Sequence, residues 1–294
     1  MNLEVARQDG AIDVQPLRPE DVPLLNPAGN PRIDETDIDA IVRRHPNRSF
    51  WVPETGEFIL VQPWRSRDDL PHIHTLWSFG NDGPLLDAAA GAAIGANAAS
   101  LVMLETGERR KPAFYHRYGF DRVEGIRTYE HSEPEVLARM YSAGAVQFHR
   151  VTRGQAAMLP DVEKIDHASF PWFWWNTHEE FLGYISFPGV ELWAGERGGQ
   201  TVSYFGITQF HQWAHLDRIA VASGNQRAGL GKTTVGFAAR RMLQSGAVRI
   251  GLSTQSGNRI SRRMYESLGF RHTRQSDYDV YGLVFDAERV YRSP

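Results

Sequence analysis

The stretch VASGNQRAGLGKTTVGFAARRM, residues 221–242, places glycines and a Gly231-Lys232-Thr233 triplet just ahead of an apolar helical period. A Walker A loop needs a further glycine five residues before its Gly-Lys pair, where the backbone wraps a phosphate chain, and position 226 is Gln. The dinucleotide fingerprint GxGxxG fails as well, because Gly229 and Gly231 require Gly or Ala at 234, which is Thr234. What remains is Gln226-x-x-Gly229-x-Gly231 between a strand-like run and a helix. Residues without a Cβ let successive N–H groups converge on phosphate oxygens at the positive end of a helix. The stretch therefore predicts a phosphate-bearing ligand, held by backbone in a different way from either nucleotide loop.

Outward from this loop the C-terminal half alternates strands and helices. VELWAGERGGQTVSYFGI (190–207) holds two β-rich runs around Gly198-Gly199 and predicts a hairpin. HLDRIAVAS (215–223) predicts the strand that feeds the loop. Beyond Lys232, Val235, Ala238, Ala239, Met242 and Leu243 recur with the spacing of an amphipathic helix. VRIGLST (248–254) alternates like a strand. Asn258 is placed to cap the next helix, whose buried stripe is expected at Ile260, Met264 and Leu268 before Gly269 ends it. YDVYGLVF (278–285) predicts the last strand.

The N-terminal half repeats part of this order. AFYHRYGF (113–120) aligns with RMYESLGF (263–270) at a separation of 150 residues, matching Tyr115 to Tyr265, Gly119 to Gly269 and Phe120 to Phe270. FWVPETGEFILV (50–61) predicts a hairpin and HIHTLWSF (72–79) a strand in equivalent places. The copies part at the loop: GNDGPLL (80–86) lacks Gln-x-x-Gly-x-Gly, and Pro84 at a helix start removes an N–H that an anion needs. The counterpart of Asn258 is Glu108. Two domains are expected, 1–140 and 146–294, joined near SEPEVLARMYSAGA (132–145), with an anion site in the second alone.

Composition narrows the partners. The 294 residues carry 41% hydrophobic residues, enough for packed cores, and a net charge of −3 with both signs interspersed. That balance argues against a polyanionic partner such as nucleic acid and against an anionic membrane surface. With no cysteine, thiolate metal sites, disulfides and a Cys nucleophile are excluded. The opening MNLEVARQDG lacks an export pattern and no apolar run of about 18 residues occurs, so a soluble cytoplasmic protein is expected.

Gln226-x-x-Gly229-x-Gly231 after a strand, followed by Asn258-x-x-Ser261-x-x-x-Tyr265-x-x-x-Gly269-Phe270, resembles the acyl-CoA signature of the GNAT superfamily of N-acetyltransferases. The resemblance spans roughly 146–290, with about 12–131 as a degraded second copy, and departs from the family pattern at Ser261, where Ala is common, and at the N-terminal loop. It implies an α/β (α+β) chain of two tandem domains, each a mixed, mostly antiparallel sheet flanked by helices. It further implies acetyl-CoA, or another acyl-CoA, as cosubstrate and no metal. N–H groups across Arg227, Ala228, Gly229, Leu230, Gly231 and Lys232, after Gln226, would hold the pyrophosphate. Backbone along Ile219, Ala220 and Val221 would pair with the pantetheine arm like an added strand. Asn258 would contact the pantetheine or its neighbouring backbone, and Tyr265 would be the acid that protonates the departing thiolate.

Each residue also has a plainer reading. Tyr265 suits a core position and Asn258 a helix cap, which is compatible with cofactor contact. His211 and His215 flank a strand start, where residues four apart lie about 13 Å from each other, too far to share a metal. His215 precedes Val221 by six residues, where many GNAT enzymes carry a Glu that takes the amine proton, and Asp217 on the same strand face is the rival base. Trp172, Phe173, Trp174 and Trp175 fall where acceptor-side helices form in that fold, and read as part core and part wall of a substrate pocket. His178, Glu179 and Glu180 suit a cationic acceptor or an exposed helix face. No Ser/His/Asp arrangement is recognisable, so direct attack on the thioester by a primary amine of a small molecule or peptide is expected. The alternatives are a longer acyl donor, a hydroxyl acceptor, or a CoA-binding module without catalysis, in a monomer or homodimer.

Overall fold

The computed structural model describes residues 12–25, 33–105, 110–141 and 146–294. They group into two compact units. The first holds the described residues up to Trp64, Asp68–Asp121 and Tyr281–Asp286; the second holds Arg65–Arg67, Arg122–Val280 and Ala287–Pro294. The grouping follows packing rather than chain order. Of the expected joint, 142–145 lie outside the described residues, as do Glu108 and the opening MNLEVARQDG.

In the first unit the hairpin Phe50–Val52 and Glu57–Trp64 is followed by the strand Arg67–Trp77, the helix Asp82–Gly95 and the strand Ser100–Leu104. Arg67–Trp77 and Ser100–Leu104 run parallel, with His72 opposite Val102. Phe285 N–H donates to the Ala99 carbonyl at 2.9 Å, bringing the 281–286 segment beside that strand. Leu85, Leu86, Ala89 and Ala93 pack beneath Ile59, Val61 and Ile73.

The second unit repeats the order on a larger scale. Val190–Arg197 and Gln200–Phe210 form the hairpin, turning at Gly198 and Gly199 with positive φ. Trp213–Val221 pairs antiparallel with Gln200–Phe210 and parallel with Arg249–Gln255. Arg249–Gln255 pairs antiparallel with Asp121–His131, and Gln147–Val151 closes the other edge against Val190–Arg197. Only one of these pairings is parallel, because a helix, Leu230–Gln244, separates its two strands in sequence. That helix buries Val235, Ala238, Ala239 and Met242 against Phe205, Leu216 and Leu252, as its spacing predicts, while Leu243 is half-buried.

The matched segments of the repeat close in the same way. Phe120 N–H bonds the Tyr115 carbonyl at 2.9 Å and Phe270 N–H bonds that of Tyr265 at 3.1 Å. Gly119 and Gly269 sit at φ 77° and 91°, the left-handed residue such helix ends require. The helix Arg259–Ser267 corrects the expected stripe, because Ile260 is 84% exposed. Asn258 caps the helix by accepting from Ser261 N–H at 3.1 Å, and this phase turns Tyr265 inward in place of Ile260, while Leu268 is buried and Met264 half-buried, as expected.

Candidate functional site

The parallel pairing of Trp213–Val221 with Arg249–Gln255 ends at Leu216 opposite Leu252, and beyond it the two strands splay. A bulge between Leu216 and Arg218 falls at the same place. It breaks the in-out alternation, so residues 215 to 219 all reach the cleft that opens there. The cleft encloses about 230 Å³ and is walled by His215, Asp217, Arg218, Ile219, Ser253, Asn258, Tyr265, Phe170, Trp174, Tyr278 and Arg65, all within the second unit.

Ala222 N–H donates to the Val202 carbonyl, so by antiparallel alternation Ala220 faces the same neighbour while the backbone of Ile219 and Val221 faces the open edge. Gln226 Nε2 donates to the Val221 carbonyl at 3.1 Å and ties the loop to the strand end. Residues 226 to 229 are exposed, Arg227 and Gly229 take φ 63° and 79°, and Gly229 is the N-cap of Leu230–Gln244. The first helical bond runs from Thr233 N–H to the Gly229 carbonyl, which leaves the N–H groups of Leu230, Gly231 and Lys232 at an open, positive helix end. Leu230 itself is buried and Lys232 exposed. This combination of an unpaired strand edge and a left-handed loop at a helix N-terminus fits the pantetheine and pyrophosphate parts of an acyl-CoA.

At the splay, Asp217 is held from three sides. His215 Nδ1 lies 2.7 Å from Oδ1, and Tyr184 and Thr208 hydroxyls donate to Oδ2, the latter at 2.6 Å. A carboxylate accepts only, so a proton sits on His215 Nδ1, and in the neutral imidazole Nε2 then carries the lone pair. Nε2 is 3.4 Å from Ser253 Oγ. Ser253, His215 and Asp217 thus form the Ser/His/Asp arrangement that was not recognisable in sequence, because Ser253 lies on another strand. Burial and the adjacent Asp217 carboxylate push the Tyr184 hydroxyl far above its ordinary range, which keeps it a donor. Tyr265 is 4% exposed and lines the cleft, and burial raises its pKa, so the hydroxyl keeps its proton at neutral pH. Tyr115, its counterpart, is wholly buried and stacks on Tyr281 with ring centres 3.8 Å apart.

The opposite wall is aromatic and cationic. Of the four aromatics at 172–175 only Trp174 lines the cleft, beside Phe170. Trp172 and Phe173 are buried, with the Arg67 guanidinium 3.9 Å over the Trp172 ring. Trp175 donates to the Phe170 carbonyl and stacks on His167. Residues 178 to 180 are not among the lining residues: His178 contacts Glu163, and Glu180 accepts from Ser66 Oγ at 2.9 Å. Ser253, Tyr184, Thr208, Tyr278, Arg65 and Arg218 belong to no motif or spacing in the sequence that marks them for the site. Arg218 alone left a trace, as a charge inside the otherwise apolar run RIAVA.

The loop in the first unit is built differently. Glu57, 2% exposed, directs its carboxylate at Phe79 N–H, Asn81 N–H and side chain, Ser78 Oγ and Thr55 Oγ1. The chain's own carboxylate occupies the donors ahead of the helix Asp82–Gly95, in the place that corresponds to the open loop of the second unit.

Residues 153–270 match the model of the Acetyltransferase (GNAT) family. Among solved structures the chain is similar to a protein of Enterococcus faecalis V583 described as a probable N-acyltransferase, with TM-score 0.67 and 9% identity over 94% of this chain and 73% of that one. A GCN5-related N-acetyltransferase from Kribbella flavida gives 0.65 and 10% over 94% and 72%. A tandem GNAT protein from the clavulanic acid biosynthesis pathway gives 0.59 and 12% over 92% and 97%. At such identities the likeness is one of fold. No curated protein sequence matches the chain.

Proposed function

Since residues 153–270 match the model of the Acetyltransferase (GNAT) family, we propose that the protein moves an acetyl group from acetyl-CoA to a primary amine in the cleft of its second unit. The supporting observation is the meeting of the His215–Asp217 pair with Tyr265 where strands 213–221 and 249–255 part. When bound, the cosubstrate supplies the activated acyl group; the chain supplies binding and proton transfer. Backbone at Ile219 and Val221 holds the pantetheine arm, and the 227–232 N–H groups hold the pyrophosphate. His215 Nε2 takes the ammonium proton, and Asp217 stabilises the imidazolium that results. A neutral amine costs about 4–5 kcal/mol at pH 7 if its pKa is near 10.4, so a fixed base is useful. The Tyr265 hydroxyl holds the proton that the leaving sulfur takes up.

The first unit is read as a degenerate copy whose loop is closed by Glu57 and which binds no CoA. Calorimetry with acetyl-CoA is expected to give one site per chain. Thiol release over a panel of amines is expected to show turnover, and silence with every amine would reduce the protein to a binding module.

Ser253 Oγ beside His215 Nε2 favours a second reading. In it the Oγ–acyl bond forms as the thioester bond breaks, the serine proton passes through His215 to the sulfur, and the amine then attacks the ester, its N–acyl bond forming as the Oγ–acyl bond breaks and its proton returning through His215 to Ser253 Oγ. A burst of thiol equal to enzyme in the absence of amine, lost in Ser253→Ala, would establish it; full turnover by Ser253→Ala leaves direct attack.

A further inference from the structure

Arg218 and Arg65 line the cleft, and the acyl-transfer chemistry uses neither. Arg218 is rigidly set. Its Nε donates to Asp166 Oδ2 at 2.6 Å and to Tyr204 Oη at 3.0 Å, and its Nη2 donates to the Trp174 carbonyl at 2.5 Å and also reaches Asp166. Its plane lies 3.8 Å over the Phe170 ring. Every donor so engaged belongs to Nε or Nη2, and Nη1 is left with no acceptor among the described residues. Arg65 approaches from the neighbouring wall, where Nη1 donates to Asn176 Oδ1 at 2.6 Å and the guanidinium lies 5.1 Å over the Trp174 ring. Burial first, and the like charge of Arg218 second, push Arg65 down to about 10, against the opposing pull of Glu180 and Asp166. The one carboxylate that lines the cleft, Asp217, is already covered by His215, Tyr184 and Thr208. The Nη1 edge of Arg218 offers an anion a planar donor that an alkylammonium cannot use.

We propose that the acceptor is a small amino-carboxylate, its carboxylate docked on Arg218 and Arg65 and its amine directed to His215. The inference rests on the acyl-transfer reading and names the class of its acceptor. The cleft of about 230 Å³ is small beside the usual range of ligand pockets, roughly 300–1,000 Å³, which is compatible with a small acceptor. Tyr278, which also lines the cleft next to Arg65, offers a hydroxyl to the same group.

The test is calorimetry on the full chain saturated with CoA, titrated with alanine, phenylalanine and β-alanine, with the amide of each, and with 2-aminoethyl phosphate. At least one acid is expected to bind about 10- to 100-fold more tightly than its amide, the effect of one charge-assisted contact pair. Arg65→Met is expected to bring acid and amide together. Arg218→Lys, which keeps a charge for buried Asp166, is expected to narrow the gap, with thermal unfolding confirming that both variants fold. Equal or undetected binding of acids and amides, or an acid preference that survives both substitutions, overturns the proposal. Tighter binding of the phosphate than of every acid overturns the choice of carboxylate. Failure of the acyl-transfer reading has its own signature: no thiol release from acetyl-CoA with any amine, while the acid preference in binding persists.

Discussion

Replacing Gly229 tests the placement of the pyrophosphate. Gly229 sits at φ 79° as N-cap of Leu230–Gln244, and a Cβ there meets nothing within 4 Å. Gly229→Val therefore carries no packing clash, only the strain of a β-branched residue in the left-handed region, about 1–2 kcal/mol. For a protein of this size such a loss lowers Tm by only a few degrees. The valine side chain projects into the open space over the helix N-terminus, where the proposed function has phosphate oxygens approach the backbone. Loss of one or two charge-assisted bonds at about 1.5 kcal/mol or more each weakens CoA about 10- to 100-fold or beyond. Gly229→Asn separates strain from obstruction, because Asn tolerates positive φ while retaining a side chain; it should recover stability but not affinity. Calorimetric affinity for CoA and thermal unfolding of both variants read the two effects. Wild-type affinity in folded Gly229→Val would refute the assignment of this loop.

Tyr265→Phe should lower turnover about 10- to 1000-fold with CoA affinity little changed, and a wild-type rate in the folded variant returns the residue to the core. His215→Ala should lower kcat/KM about 10- to 1000-fold while CoA binding persists. Asp217→Asn should lower it as well, and if only that variant loses activity the carboxylate is the base. Glu57 provides a test by acid. Burial would raise its pKa, but hydrogen bonds from Thr55, Phe79, Ser78 and Asn81 outweigh that and hold it at about 2 against an ordinary 4.5. A depressed carboxyl contributes stability that is fully present above the unfolded value and is lost as pH falls toward 2; the displacement corresponds to about 3 kcal/mol at most. The stability gap between wild type and Glu57→Gln, measured by denaturant unfolding, should therefore shrink between pH 5 and pH 2, and parallel curves would contradict it.

Features that depend on neighbours along the chain were legible in the residues. The hairpin at Gly198-Gly199, the loop at Gly229, the cap at Asn258 and the helix end at Gly269 each follow from local φ preferences or from period. The same locality made the repeat readable, since Tyr115-Gly119-Phe120 and Tyr265-Gly269-Phe270 encode one helix ending twice. Period gives spacing but not phase, so Ile260 was expected inward, and the Asn258 cap decided otherwise. His215 and Asp217 were visible as candidates two residues apart. Their chemistry was not, because Tyr184, Thr208 and Ser253 come from other elements and meet them only after the sheet forms. The same holds for Arg218 on Asp166 and for Arg65 on Asn176, pairs brought together from 52 and 111 residues apart. Such contacts are made by burial, which draws whichever polar groups share the desolvated wall into mutual hydrogen bonding, and no local pattern records the choice. The sequence by itself determined a strand, a glycine-bearing loop and two helices in this order, and one helix ending that occurs twice. The splay of strands 213–221 and 249–255 decided which side chains would face one another across the cleft, because that gap exists only where tertiary packing ends the pairing.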